Sequence, residues 1–153
     1  NNPGGFLTVA VDIASWWVPA GETVVRERHA DASEEIYRSS GYGVLAAVPT
    51  VILVNEGSAS ASEIVAGALR DHKAIRLVGA KTFGKGSVQE VVQLPHAASL
   101  KVTIAKWLTP KGSEIDGKGL EPDVKVELPE SPKEGEEGKD LIFEKGIEVL
   151  KGL

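Results

Sequence analysis

The sequence predicts an α/β fold built around a parallel βαβ unit, and three observations carry that expectation. Thr50 to Val54 is β-branched and apolar throughout, like a strand buried on both faces. Ala61, Ile64, Val65, Ala68 and Leu69 then form one apolar stripe at helical spacing, which predicts a helix from about Ala59 to His72. Ala74 to Val78 reads as another buried strand. A strand, a helix and a strand in succession imply parallel pairing through a right-handed crossover.

The remaining elements follow in order. Asn1 to Gly5 is a Pro- and Gly-rich turn. Phe6 to Val18 has a helical face, with Leu7, Ala10, Val11 and Ala14 at i, i+3, i+4 and i+7, and Pro19-Ala20-Gly21 ends it. Thr23 to Arg28 and Glu34 to Arg38 read as short strands. Val88 to Leu94 and Leu100 to Leu108 read as paired strands around Pro95-His96-Ala97-Ala98, with Leu100, Val102 and Ile104 alternating with Lys101, Thr103 and Ala105. Val124 to Leu128 is a short edge strand, and Pro129 to Lys139 a charged linker with little to bury. Asp140 to Leu150 is a terminal helix with Asp140 as N-cap and Phe143, Ile147 and Leu150 on one face.

Composition narrows the function classes. A chain of 153 residues that is 42% apolar is one globular domain by length. Seventeen basic against 22 acidic residues leave a net charge of −5, which argues against nucleic acid or an acidic membrane surface as partner. No apolar run approaches the ~20 residues of a membrane helix. The absence of Cys removes thiol catalysis, disulfides and Cys-based zinc sites. No carboxylate pair or His cluster has metal spacing, so no metal or cofactor is expected. From the start at Asn1-Asn2-Pro3 and the lack of Met, a piece of a longer protein is expected.

The run Ser58-Ala59-Ser60-Ala61-Ser62-Glu63 sits where a buried strand meets a helix. A nucleophile there gains from unpaired N–H groups and the helix dipole, which can stabilise an oxyanion. Ser60-x-x-Glu63 also matches a capping box, Ser58 or Ser62 could cap equally well, and on this run alone capping is the stronger reading. A catalytic serine needs a base. Asp71 and His72 lie about 16 and 18 Å from Ser60 along one helix, out of reach. His29 and His96 occupy loop or strand-end positions with no Asp patterned nearby, so the three His read as surface residues. Lys85 is the other candidate. Gly84 and Gly86 leave its amine unshielded, and an apolar pocket beside Ser60 would lower its pKa from ~10.4 far enough for it to act as a base. A solvent-exposed loop lysine is the competing reading.

Gly79 to Lys85 fits GxxxxGK, but Gly86 replaces the Ser or Thr of a phosphate loop and a strand follows instead of a helix, so nucleotide binding is discounted. Asn2-Pro3-Gly4-Gly5 is either an anion-binding nest or a tight turn.

The segments NNPGG (1–5), VNEGSASASEIVAGAL (54–69), GAKTFGKGSVQ (79–89) and LTPKGSEIDGKGLEPDV (108–124) together resemble the carboxyl-terminal processing peptidases, or tail-specific proteases, of serine peptidase family S41. The resemblance implies a crotonase-like or ClpP-like α/β core, with residues 1–128 as the C-terminal part of the catalytic domain, 129–139 as linker and 140–153 as terminal helix, and with the N-terminal region and PDZ domain of the family absent. It implies Ser60 as nucleophile, Lys85 as general base and Gln89 as the group that orients the lysine amine. The backbone N–H groups of Gly4 or Gly5 and of Ala61 would form the oxyanion hole. Asp71, placed in a charge relay in some descriptions of the family, reads here as structural. Protein or peptide substrates bound in extended form, an adaptor or self-association, no cofactor, and an extracytoplasmic location in the bacterial periplasm or envelope are further implications. An inactive binding or assembly fragment and an acyl-CoA enzyme of the same fold are the rival readings.

Overall fold

The computed structural model describes residues 1–127 and 139–153. In chain order its elements are α1 (Leu7–Ala14), β1 (Thr23–His29), β2 (Glu34–Arg38), β3 (Val51–Val54), α2 (Ala61–Lys73), β4 (Arg76–Gly79), β5 (Ser87–Gln93), β6 (Ser99–Leu108), β7 (Val124–Lys125) and α3 (Leu141–Lys151). The predicted βαβ unit is present: β3 and β4 pair in parallel, Val51 opposite Arg76 through Val54 opposite Gly79, with α2 as the connection. β7 adds to β4, also in parallel, for the order β3-β4-β7. The second sheet is antiparallel, in the order β2-β1-β6-β5.

The core lies where α1, α2 and the two sheets meet. Ala10 and Ala14 of α1, Ile64, Ala66 and Ala68 of α2, Val24 and Val25 of β1, Leu77 of β4, Trp107 of β6, and Ile115 and Leu120 of the following loop form one buried cluster. The small residues on the helices' facing stripes let their backbones approach, and the branched and aromatic residues of the sheets fill the remaining space.

Four features go beyond or against the sequence reading. First, α1 ends at Ala14, not Val18: Ser15 Oγ bonds to the Val11 carbonyl at 2.7 Å, and Trp16 and Trp17 bond three residues back. The last turn tightens before Pro19 is reached. Second, β3 is not buried on both faces. It pairs only with β4 among the described residues, an apolar cleft of about 470 Å³ runs beside it, and Leu53 is 40% exposed. Third, the β5–β6 hairpin outruns its neighbour. β1 pairs with β6 only over Ala105–Leu108, so Val91, Val92, Leu100, Val102 and Ile104 stay exposed. Fourth, α3 buries Ile142 and Gly146 against β3 and β4 and leaves Phe143 out, because the close approach of Gly146 to Leu53 turns the expected face away. Asp140 caps α3 as expected, accepting from the Phe143 N–H at 2.9 Å. Leu128 and residues 129–138 of the expected linker lie outside the described residues. No helix among the described residues is long and apolar enough to cross a membrane.

Candidate active site

The site begins at the C-terminal end of β3. Asn55 and Ser58 close a turn, with the Asn55 N–H donating to Ser58 Oγ at 3.1 Å. Ser60 follows as N-cap of α2 with φ +59° and ψ −122°, a conformation that a residue with a Cβ rarely adopts. Such strain costs about 1–3 kcal/mol and persists only where the surroundings impose it. Here it sets a half-buried hydroxyl on a sharp strand-to-helix turn, the geometry that exposes a nucleophile at a helix N-terminus.

What imposes the strain is the Asn2 to Gly5 turn. Asn2 donates its N–H to the Gly57 carbonyl at 3.1 Å, and its own carbonyl accepts from the Ala59 N–H and Ser62 Oγ, both at 2.9 Å. Gly4, at φ +92°, packs so closely that a Cβ there would stand 2.9 Å from Ser60 Cβ and 2.6 Å from the Ala59 carbonyl oxygen. Only glycine fits both the angle and the space. The Gly4 N–H is already donated to Asn2 Oδ1 at 3.0 Å. Among the described residues, the N–H groups of Gly5 and Ala61 have no such acceptor. Of the three expected oxyanion-hole residues, these two have a donor free to serve.

Glu63 does far more than complete a capping box. Its side chain is fully buried and accepts four hydrogen bonds. Oε2 takes the N–H of Ser60 at 2.8 Å and that of Lys85 at 2.9 Å. Oε1 takes the N–H of Gly84 at 2.8 Å and the hydroxyl of Thr82. Thr82 Oγ1 in turn accepts from the Leu120 N–H at 2.7 Å. The loop between β4 and β5 is thus fastened to the start of α2, and the Phe83 N–H bonds to the Ser58 carbonyl at 2.9 Å. Gly86 seals the other side: a Cβ there would stand 2.3 Å from the Asp116 nitrogen.

The structure ties the backbones of Ser60 and Lys85 to one carboxylate oxygen, with no hydrogen bond between their side chains among the described residues. The Lys85 side chain is exposed and makes no hydrogen bond or ion pair among the described residues. The expected apolar pocket around its amine is therefore corrected. Thr82, Gly84 and Gly86 turn inward, so Phe83 and Lys85 between them turn out. Gln89 lies exposed on β5, opposite Thr103. Asp71 accepts from the Lys111 N–H at 2.9 Å and serves the loop after β6, away from Ser60. His72 Nε2 lies 2.6 Å from the Thr23 carbonyl, His29 stands 3.9 Å from Glu27, and His96 occupies the hairpin turn. None of the three touches Ser60. The segment after Gly84-Lys85 is strand β5, as the rejection of a phosphate loop requires.

Sequence reasoning missed three contributors. Glu63 was legible only as a capping partner, Thr82 carried no signal beyond its place three residues before Lys85, and Asn2 was legible only as part of a turn.

Comparison with known proteins identifies the family. The model of "Peptidase family S41" matches residues 1–126. A Staphylococcus haemolyticus protein named "Probable CtpA-like serine protease" is 47% identical over 131 residues, covering 85% of this chain and 26% of that protein. The "Carboxyl-terminal-processing protease" of Synechocystis is 40% identical over 153 residues, covering 99% of this chain and 35% of its own length. Among solved structures, the photosystem II D1 C-terminal processing protease superposes with a TM-score of 0.76 at 39% identity, over 86% of this chain and 34% of that one. The chain spans about a quarter to a third of the length of these relatives. With the family model matched across most of its length, the chain belongs to peptidase family S41.

Proposed function

We propose that this chain carries the catalytic serine and lysine of an endopeptidase that cuts protein substrates near their C-termini. The observation that carries the reading is Ser60 itself: a strained residue at a helix N-terminus, with the N–H groups of Gly5 and Ala61 unpaired among the described residues and the backbone of Lys85 tied to its own. In this reading Ser60 Oγ attacks the peptide carbonyl carbon while its proton passes to Lys85 Nζ. Gly5 and Ala61 donate to the developing oxyanion. The C–N bond then breaks as Nζ returns the proton to the leaving amine. Water hydrolyses the acyl ester and restores Ser60. Lys85 must swing in from solvent for this, and Gln89, four positions on, would orient its amine. An extended substrate pairing with a free sheet edge would be held by its backbone. An extracytoplasmic setting belongs to the same reading.

The exposed Lys85 side chain favours a second reading, in which the segment binds or assembles without hydrolysing. A fluorophosphonate serine probe on the full-length protein separates the two. Labelling that disappears in Ser60→Ala supports the peptidase, and an unlabelled wild type removes it.

A further inference from the structure

We propose that Glu63 is a positioning residue of the site: its carboxylate holds the Lys85 backbone in register with Ser60, and the reaction depends on that register. The proposal rests on the serine–lysine reading. A buried carboxylate is costly unless its lone pairs are met. Glu63 is 0% exposed and has no cation within ion-pair distance among the described residues. A carboxylate has about four lone-pair sites, and four donors face this one.

The distribution of those donors separates this role from helix capping. A capping box asks the third helical residue to accept one N–H, that of Ser60, and glutamine serves as well as glutamate. Here three of the four donors belong to Thr82, Gly84 and Lys85, on a different element. Each oxygen takes two donors, so neither can be replaced by an amide nitrogen. Thr82 is committed as well: its single proton goes to Glu63, which leaves its oxygen to accept from Leu120. A line of bonds thus runs from the Leu120 backbone through Thr82 and Glu63 to the amides of both reacting residues. The lysine side chain is long and free, but the point from which it pivots is fixed.

The test uses the full-length protein, the fluorophosphonate probe and a peptide substrate. Glu63→Gln keeps the shape but turns one acceptor into a donor facing N–H groups. We expect kcat to fall by about 10²-fold or more, the cost of a misplaced reacting group, with KM within about threefold. Probe labelling should slow in parallel. Thr82→Val is the milder variant for the case that Glu63→Gln does not fold: kcat should fall about tenfold at unchanged KM, and Thr82→Ser should restore it. A folded Glu63→Gln or Thr82→Val enzyme with the wild-type kcat and labelling rate overturns the proposal. So does a loss that appears only in KM. A wild type that is not labelled at all overturns the serine–lysine reading instead, and this role with it.

Discussion

Ser60 and Lys85 donate their backbone N–H groups to the same atom, Oε2 of Glu63, at 2.8 and 2.9 Å. Two residues far apart in the chain are thereby held with their nitrogens within about 6 Å of each other. Their side chains are under no such constraint.

Ser60 should show stability and activity moving in opposite directions. Glycine adopts φ +59° without strain, so Ser60→Gly should raise Tm, by an amount equivalent to about 1 kcal/mol, while abolishing hydrolysis. Ser58→Ala and Ser62→Ala should leave most of the activity, with the modest destabilisation of a lost hydrogen bond. Thermal melts beside peptide-hydrolysis assays on the full-length variants check this, and full activity in Ser60→Gly would remove the nucleophile assignment.

In the proposed mechanism Lys85 contributes its side chain to the chemistry, while its backbone contributes to the fold. Because its side chain bonds to nothing among the described residues, Lys85→Met should change stability by no more than about 0.5 kcal/mol. Hydrolysis should fall to background. Denaturant titration and kcat measurement give the two readings, and a variant that keeps its turnover would exclude lysine as the base.

Gly4 and Gly5 are adjacent but not equivalent. Gly4→Ala forces a Cβ against the Ala59 carbonyl oxygen at 2.6 Å and a side chain into φ +92°, so stability should drop by about 1–3 kcal/mol and activity with it. Gly5→Ala meets nothing within 4 Å and should fold like wild type. Comparing the two melting curves tests the packing of this turn directly.

The acid limb of stability should carry a contribution from Glu114. Hydrogen bonds from Lys106, then Lys118, hold its carboxyl down at about 2, against an ordinary value of 4.5. The group binds protons more weakly folded than unfolded, so its stabilising effect is complete above about 4.5 and is lost as pH falls from there towards 2. The effect is modest, because these charges are partly exposed and salt screens them. Glu114→Gln should melt below wild type at pH 6, and the gap should narrow as pH falls below 4.5 and close only below about 2. A gap that stays constant with pH would show that the ion pairs are not its source.

The βαβ unit was legible because two short apolar runs flank one stripe at helical spacing, and a strand, a helix and a strand in succession pair in parallel. Ser60 and Lys85 were legible as candidates from their local settings, one at a strand–helix junction and the other between two glycines. The role of Glu63 was not, because its other donors come from residues 19–22 positions away, and two of them are backbone amides that look alike at every position. The orientation of Lys85 was not legible either. Which side of an irregular loop turns inward depends on where the 115–119 segment docks, and no periodicity records that. The exposure of β3 and of the outer hairpin has a similar cause: an apolar run reports that it can be covered, not what lies beside it.

The uneven reach of β1 along β6 gives the antiparallel sheet a graded resistance to opening. Trp107 sits where three strands are joined, opposite Glu27 on one side and bonded to the Gly86 carbonyl on the other. From Ser99 to Ile104 only two strands remain among the described residues, and a two-stranded ribbon is marginal by itself. Amide protons at Val92 and Gln93 should therefore trade with deuterium through local fraying, while those flanking Trp107 wait for cooperative unfolding.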